Sequence, residues 1–443
     1  MSWPRLTAGA LVERLRRGLR PVTEKTNVTT AELFFDVVFV FAFIQVTTLM
    51  TAEHNALGVA HGLLVLTLLW WSWSLFAWLG NRVRANYGLS RLVILTATPV
   101  LFLLAVTIRE VFDDLPGGVD SGLLFVTLFV LVRVFYLALR LYATPGLRVR
   151  DVSALTIPLS VATGLLLTAV LLPTSGLPAE RVRLGQVLLW GVAVAVDYGF
   201  GMALPIPARA IFSARHWAER HNLIIIVALG EVLVAIGIAG TDLPNTPGLL
   251  IASAFAVLVA GALEWIYFDL STLTGEHAIR GAQPVRRVAL ARDGYTYLHL
   301  PMIAGIMLLS VGLKHTPSLI GDINAYHRGD PLDTLGRYAL YGGVALFLAA
   351  HAAFQWRLSR RARALVWPRL ATAVALLSLL PVTARISALQ ALGWLAVACL
   401  VTAVVEVVVS RPLRRQLRQA LSAEAETGSP ENREADPGGT GFS

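Results

Sequence analysis

Acidic side chains lie inside stretches of this chain that are otherwise apolar enough to cross a membrane. Glu32 and Asp36 begin the first stretch, and Glu231 lies within a later one, with no other charge in the nine residues on either side. Three more acids lie in further apolar stretches: Asp197, Glu264 and Asp269. A carboxylate at bilayer depth is costly, so it usually faces a cavity, a partner or a transport path. These acids are therefore the first candidates for function.

Glu32 and Asp36 are four residues apart, which places both on one face of a helix, and Phe39 and Phe43 continue that face. Two carboxylates on one face can share a proton, bind a cation or pair with arginines. Glu32 also falls close to a helix start, where a negative charge is favourable. A structural role is therefore the alternative, more so for Glu32 than for the deeper Asp36.

Glu231 is the single carboxylate that we most expect to be functional. A helix that begins near His221 would carry Glu231 about 15 Å inward, near the middle of the membrane. Gly230 and Gly237 lie one heptad apart, a spacing that favours close approach of a neighbouring helix. The alternative is a buried glutamate that simply hydrogen-bonds to that neighbour.

Basic and imidazole groups lie near these acids. Arg133 falls within an apolar stretch and needs a carboxylate partner, and His299 begins another stretch, where it could relay protons. Glu219, Arg220 and His221 form a second polar cluster. The buried acids outnumber Arg133, and the surplus of negative charge favours protons, metal cations or basic solutes as ligands, unless connector arginines reach in.

The sequence lacks the usual signatures of catalytic and metal sites. Its histidine pairs do not have the i, i+4 spacing of a helical zinc site, and there is no glycine-rich phosphate loop or Gly-x-Ser-x-Gly elbow. The single cysteine, Cys399, excludes a thiolate cluster within one chain. We therefore expect no metal, no cofactor and no enzymatic activity, and we rank an intramembrane lipid enzyme last.

Composition predicts an all-α, polytopic integral membrane protein. Of 443 residues, 56% are hydrophobic and 15% are charged, against ~25% charged in soluble proteins. A helix needs roughly 20 apolar residues to cross the hydrocarbon. About twelve segments qualify: 31–50, 60–79, 92–111, 121–143, 152–172, 184–204, 221–240, 248–273, 295–313, 335–354, 364–384 and 387–409. The predicted parts are a basic segment (1–30), a transmembrane domain (31–410) and a tail (411–443).

The basic residues predict the orientation. With a cytoplasmic N-terminus, the inner segments hold 29 of the 37 Lys and Arg residues and the outer connectors hold 7. This positive-inside bias predicts that both termini are cytoplasmic. The net charge of +9 is thus explained by membrane topology, and we expect no nucleic-acid partner.

The two ends of the chain differ from its centre. Leu11, Leu15 and Leu19 lie among four arginines at the spacing of an amphipathic helix, which would bind anionic lipids at the cytoplasmic face. A solvated basic tail is the alternative. The polar start does not resemble a signal peptide. Residues 424–443 are rich in Gly, Pro and Glu, and we expect disorder there.

Six predicted helices precede residue 205 and six follow it. Trp70-Trp71-Ser72-Trp73 is similar to Glu264-Trp265-Ile266-Tyr267, and Pro99 and Pro301 interrupt the third and ninth helices. Matching prolines in two halves are typical of transporters built from repeats. Since Pro and Trp are common in membrane helices, the six-plus-six repeat is one of two interpretations.

Several motifs resemble the bacterial low temperature requirement A (LtrA) family over roughly residues 25–410. Residues 31–43, Ala-Glu-Leu-Phe-Phe-Asp-Val-Val-Phe-Val-Phe-Ala-Phe, resemble its opening signature, and residues 218–223 with 228–231 are similar to its second one. Tyr267-Phe268-Asp269 and Tyr297-x-His299 also fit. By resemblance, the family-type polar positions are Glu32, Asp36, Glu219, Arg220, His221, Glu231, Asp269 and His299. The chain carries Val232 where members often have a hydroxyl.

The resemblance implies a location in the bacterial cytoplasmic membrane and a link to growth in the cold, but no substrate. Our first hypothesis is a transporter or channel for a proton, cation or small polar solute, with Asp36 and Glu231 as ligands, tuned by Arg133 and His299. Phe34-Phe35-Asp36 is more distantly similar to the Phe-Ser-Asp motif of endosomal potassium channels, with Phe35 where that motif has a serine. The alternative is a membrane protein that supports the envelope without transport. The oligomeric state stays open.

Overall fold

The structure is a computed structural model, and it describes residues 22–24, 26–144, 148–203, 206, 210–240, 244–316, 330–358, 363–412 and 415. Within these ranges the chain forms α-helices joined by short connectors, and no β-strand occurs among the described residues. Both the amphipathic segment predicted at 6–20 and the disordered tail predicted at 424–443 lie outside the described residues.

Fourteen α-helices are described. Their bounds are α1 Thr30–Ala52, α2 Ala56–Gly80, α3 Gly88–Thr107, α4 Ser121–Ala143, α5 Val149–Leu171, α6 Ala179–Ala203, α7 Ala214–Gly240, α8 Pro247–Phe268, α9 Ser271–Arg280, α10 Pro284–Leu290, α11 His299–Lys314, α12 Thr334–Leu358, α13 Val366–Thr383 and α14 Ala388–Val409. In the described ranges, twelve helical segments are long and apolar enough to cross a membrane, with α8–α9 as one and α10–α11 as another. The prediction of an all-α polytopic membrane protein is confirmed.

Side-chain caps explain where several helices begin. Thr29 caps α1 and forms a capping box with Glu32, and Ser387 forms one with Gln390 at α14. Asn55 accepts hydrogen bonds from the first backbone N–H groups of α2. Such caps satisfy donors that have no partner inside the helix.

The helices differ in how much of their surface the bundle covers. In α2, in the α10–α11 segment and in α12, 72% of the residues in the most apolar 18-residue stretch are buried. In α5 and α6 only 22% is buried, so these helices present most of their surface to lipid. The core therefore forms around α1, α2, α7, α11 and α12, which carry nine of the thirteen buried Asp, Glu, His and Arg residues that the structure describes.

Helices α11 and α12 approach each other closely through glycine. A Cβ on Gly305 would lie 2.6 Å from the carbonyl oxygen of Gly343, and one on Gly312 would lie 2.6 Å from the backbone nitrogen of Leu340. At Gly230 and Gly237 a Cβ would have no heavy atom of the described residues within 4 Å, so the described helices do not form the close approach predicted there.

A π-helix at Ala291–Tyr297 separates α10 from α11. Single π turns inside helices are rare and often accompany functional sites. This turn leaves the carbonyl of Gly294 facing the ring of His299, 3.1 Å from Nδ1.

We call the end of the bundle at which α2 ends and α7 begins the arginine-rich end, because the positive-inside pattern assigns most arginines to its connectors. Orientation in the membrane and the domain boundaries stay predictions. So does the six-plus-six repeat: of the two tryptophans that its alignment pairs, Trp71 is 9% exposed whereas Trp265 is 46% exposed.

Candidate functional site

Two acids of α1 meet an arginine and a histidine of α7 near the arginine-rich end. The Nη1 of Arg220 lies 2.9 Å from Oε1 of Glu32, and its Nη2 donates to Oδ1 of Asp36 at 2.7 Å. The Nε2 of His216 lies 3.1 Å from Glu32 Oε2, and Trp73 Nε1 donates to Asp36 Oδ1 at 2.8 Å. All five side chains are buried. We call them the Arg220 cluster.

The geometry follows from matching helical spacing. Glu32 and Asp36 are four residues apart on α1, and His216 and Arg220 are four residues apart on α7, so each pair lies on one helix face. Each acid contacts the residue 184 positions further along the chain: Glu32 contacts His216, and Asp36 contacts Arg220. This constant offset shows that α1 and α7 run parallel and in register.

Both carboxylate oxygens of Glu32 have partners among the described residues. Besides Arg220 and His216, it accepts hydrogen bonds from the backbone N–H and the hydroxyl of Thr29 as part of the helix cap. Gly80 makes room for it, since a Cβ there would lie 2.3 Å from Glu32 Oε1. The structural alternative for Glu32 thus agrees with its surroundings.

Glu231 lies in a second cluster, toward the opposite end. Lys314 Nζ lies 2.9 Å from Glu231 Oε1, and the hydroxyl of Thr47 donates to the same carboxylate while it accepts from Lys314. Glu231 is fully buried, and the Lys314 side chain is 16% exposed. We call these three residues the Glu231 cluster.

The predicted start of the helix that carries Glu231 is wrong, whereas the depth of Glu231 in the membrane stays a prediction. Helix α7 begins at Ala214 rather than near His221, which places Glu231 about 26 Å along the helix. At that level α11 ends with Lys314. The helix starts earlier because Ser213 accepts a hydrogen bond from the backbone of His216 and is itself held by Asn81.

Two buried carboxylates keep one oxygen without a hydrogen-bond partner among the described residues. These atoms are Oδ2 of Asp36 and Oε2 of Glu231; Oε2 of Glu53 also lacks a partner among the described residues, but the Glu53 side chain is 22% exposed. The other buried acids differ, because both oxygens of Asp197 bind Arg133 and both oxygens of Glu406 bind Arg369. Asp36 and Glu231 therefore keep capacity to accept a proton or a cation.

Four cations, Arg133, Arg220, Lys314 and Arg369, face five buried acids among the described residues, so the predicted surplus of negative charge falls to one. Arg133 binds Asp197 at 3.0 and 3.2 Å, and Arg369 binds Glu406 at 2.6 and 2.9 Å. Arg220, Lys314 and Arg369 were assigned to connectors, yet each reaches a buried acid. A buried charge is tolerated only when paired, and long basic side chains at helix ends supply the partners.

His299 lies among aromatic side chains between α8, α11 and α12. Its Nδ1 faces the Gly294 carbonyl, which can only accept, so Nδ1 carries the proton. The hydroxyl oxygen of Tyr267 lies 2.8 Å from Nε2, and the same hydroxyl donates to Oδ1 of Asn222 at 3.1 Å. The ring of His221 lies 5.1 Å from that of His299. This bonding suits a proton relay, which stays a prediction.

The remaining candidates lie apart in the fold. Glu219 accepts from the backbone N–H of Val28 at 3.1 Å and so ties the chain before α1 to α7. Asp269 is half-buried where α8 ends, and Glu264 is exposed on the outer surface of α8. Among the described residues, no three His, Cys, Asp or Glu side chains are grouped to hold a metal ion.

Sequence reasoning missed several members of these clusters: Thr47, Trp73, Lys314, Arg369 and Glu406. One signal was available for Lys314, because the chain has only one other lysine, Lys25. For Arg369 and Glu406, which meet across α13 and α14, no spacing in the sequence connects them.

This fold and these clusters define a multi-pass membrane protein with paired charges buried between its helices. The family model described as bacterial low temperature requirement A protein (LtrA) matches residues 27–405, and the chain belongs to this family. It is also similar to the uncharacterized protein RA0937 of Rhizobium meliloti (strain 1021), with 29% identity over 427 residues, 92% of this chain and 96% of the relative. No solved structure matches the chain significantly. The predicted family is thus confirmed, and the chain is a bacterial multi-pass membrane protein.

Proposed function

We propose that this LtrA protein is a transporter or channel for a proton, a cation or a small polar solute, with Asp36 and Glu231 as its binding carboxylates. The observation that supports it most is the unpartnered oxygen that each of these buried acids keeps. Ionisable residues inside a membrane protein mark ion and proton pathways more often than they serve packing.

The positions of the two acids suit a pathway with two ends. Asp36 and Thr47, the partner of Glu231, are separated by eleven residues of α1, which is about 16 Å. The layer between them is apolar and buried, with Phe39 and Phe43 from α1 and Ala228 from α7. A dry layer between two polar sites is what a gate requires, because ions cross it only when it opens or hydrates.

Arg220 and Lys314 would compete with the transported ion for the carboxylates of Asp36 and Glu231, beside which they are held. A proton or cation on Asp36 weakens its attraction to Arg220, and one on Glu231 weakens its attraction to Lys314. Ion binding would therefore loosen contacts between α1, α7 and α11, which are the helices that must move. Arg133 is paired with Asp197 on α4 and α6, so its proposed tuning role would act at a distance.

Flux measurements test this proposal. The full chain goes into liposomes that carry pH-sensitive and potassium-sensitive dyes, beside Asp36→Asn and Glu231→Gln. Two controls separate the site from general effects: Glu264→Gln removes an exposed acid, and Glu406→Gln removes a buried, paired acid outside both clusters. We expect flux in the wild type and both controls, and its loss in the two site variants while they remain folded.

The alternative is a membrane protein that supports the envelope without transport. Every buried acid among the described residues contacts a cation, and this favours the envelope role, since ion pairs between helices also hold a bundle together. In that case Asp36→Asn, Glu231→Gln and Glu406→Gln would lower thermal stability alike, and no gradient would drive flux in any of the proteins. That pattern would contradict the transport proposal.

We further propose that the protein is not an enzyme and that it resides in the bacterial cytoplasmic membrane with its arginine-rich end in the cytoplasm. Support for the orientation comes from the sided distribution of arginine. Anionic lipids at that face are the proposed bilayer partner of the basic residues.

A further inference from the structure

A cavity of about 630 Å³ opens among α2, α4, α5 and α6 at the arginine-rich end. No residue of α1, α7 or α11 lines it, so it is separate from both the Arg220 cluster and the Glu231 cluster. The transport proposal gives a role to one lining residue, Arg133, and the family relation assigns the cavity none. Its size is that of pockets that bind small organic molecules.

The charges that line the cavity are unbalanced. Four arginines (Arg82, Arg133, Arg140 and Arg150) against two aspartates (Asp151 and Asp197) leave a net charge of +2. Asp197 is fully engaged by Arg133, and Asp151 accepts from the backbone N–H of Arg148 as part of the α5 cap. Both acids of the cavity thus already have partners: Asp197 has a lining arginine, and Asp151 has the backbone of its own helix cap.

Of the four arginines, Arg82, Arg140 and Arg150 have no acidic partner among the described residues, whereas Arg133 pairs with Asp197. The Nε of Arg140 is buried and makes no hydrogen bond there. Burial, and after it the positive charge of Arg140, lowers the pKa of Arg82. Guanidinium groups that share one cavity, with the positive charge of Arg140 acting on Arg82, form a site for an anion.

The rest of the wall is apolar and reaches deep. Trp71 and Leu75 of α2, Tyr136 and Leu137 of α4, and Leu159 of α5 line it. Trp71 is nine residues from the end of α2, so the cavity extends about 14 Å from the arginine-rich end. A small inorganic anion would gain little from such walls, whereas an apolar chain or ring would bury its surface against them.

We propose that this cavity binds an amphiphilic anion, with its phosphate or carboxylate on Arg82 and Arg140 and its apolar part against Trp71, Tyr136 and Leu159. Two sources provide this chemistry: a phospholipid of the adjoining leaflet, or a water-soluble amphiphile from the same side. The inference is independent of transport, since it uses none of the residues of the proposed pathway.

Equilibrium binding to the full chain in phosphatidylcholine nanodiscs tests the proposal. The probe is radiolabelled dodecyl phosphate, the neutral comparison is dodecanol, and empty nanodiscs supply the bilayer background. We expect saturable binding of dodecyl phosphate that is at least about tenfold weaker in Arg82→Gln/Arg140→Gln. The matched control, Arg280→Gln/Arg287→Gln, removes two partly exposed arginines at the same end and should bind like the wild type.

A second variant keeps the test decisive if the arginine variant folds poorly. Ala154→Phe fills the apolar wall of the cavity and leaves all its charges in place, so it should also weaken binding. Dodecyl phosphate that binds no more tightly than dodecanol, or equally well to the wild type and Ala154→Phe, would overturn the proposal.

Nanodiscs that contain phosphatidylglycerol distinguish the two sources. If this lipid suppresses dodecyl phosphate binding in proportion to its content, the natural ligand is an anionic lipid. If binding is the same as in phosphatidylcholine alone, the site takes a soluble amphiphile. Both results support an anion site, because both require saturable binding that depends on Arg82 and Arg140.

Discussion

At the scale of residues, a buried carboxylate is characterised by the number of its oxygens that are already bonded. Glu32, Asp197 and Glu406 use both oxygens, whereas Asp36 and Glu231 each keep one free of partners among the described residues. A buried acceptor that makes no hydrogen bond costs about 1–3 kcal/mol of folding stability. A protein that maintains two such atoms gives up stability at both positions, which is why we assign function to these two acids.

Trp73 holds the bonded oxygen of Asp36 and stacks near Arg220, whose guanidinium carbon lies 5.4 Å from the indole ring. Trp73→Phe removes the donor and keeps an aromatic ring. We expect it to lower the free energy of unfolding by about 1–3 kcal/mol, measured by chemical denaturation in detergent.

Trp394→Phe is the matched control for this prediction, because Trp394 is 44% exposed on the surface of the bundle. Its effect should stay within about 0.5 kcal/mol. Equal stability of the two variants would show that the indole donor contributes nothing to the Arg220 cluster.

At the scale of elements, the pairing of α11 with α12 depends on backbone contact at glycine. A Cβ on Gly343 would lie 2.6 Å from the carbonyl of Gly305, whereas one on the adjacent Gly342 would meet no atom within 4 Å. We expect Gly343→Ala to lower the midpoint of thermal unfolding, at a cost of about 1–3 kcal/mol. Gly342→Ala should be neutral or slightly stabilising, since alanine favours a helix; similar losses in both variants would contradict this packing.

The end of α11 carries a group whose titration affects stability. Burial lowers the pKa of His315 below its ordinary 6.5, while the nearby Asp333 opposes this and His54 adds to it. The unfolded chain therefore binds the proton at higher pH than the folded one. Above about pH 6.5, protonation of His315 costs no stability, and below that pH the free energy of unfolding falls as the pH decreases.

Thermal unfolding in detergent from about pH 8 to about pH 5 checks this dependence. His315→Gln should flatten the acid side of the curve relative to the wild type. A steeper acid loss in the variant would mean that the partially opposing charge of Asp333 outweighs burial.

At the scale of the whole molecule, the sided arginines predict how the bundle sits in the membrane. In a Cys399→Ser background, cysteines at Val149 and Val285 lie at the arginine-rich end, where the native side chains are 86% and 73% exposed. One at Val119 lies at the opposite end, where the side chain is 66% exposed. A membrane-impermeant maleimide applied to intact cells should label only position 119, and label 149 and 285 after permeabilisation. The reverse pattern would invert the orientation.

The twelve spans were predictable from the sequence because entry into a membrane depends on local composition. The bounds of α4, predicted at 121–143, match the structure, while α7 begins seven residues earlier than predicted because Ser213 and Asn81 provide an early start. Polar residues such as His216 and Arg220 counted against a helix locally. They are nevertheless helical because partners elsewhere neutralise them.

The sequence by itself thus determined the fold class, the family and the identity of Asp36 and Glu231 as candidates, since these depend on residue type and local hydrophobicity. Only the tertiary structure decided which cation meets each acid. Asp36 and Arg220 are 184 positions apart, and Arg133 and Asp197 are 64 positions apart. Such pairs form when helices pack, because a charge removed from water takes the nearest opposite charge in space, wherever it lies along the chain.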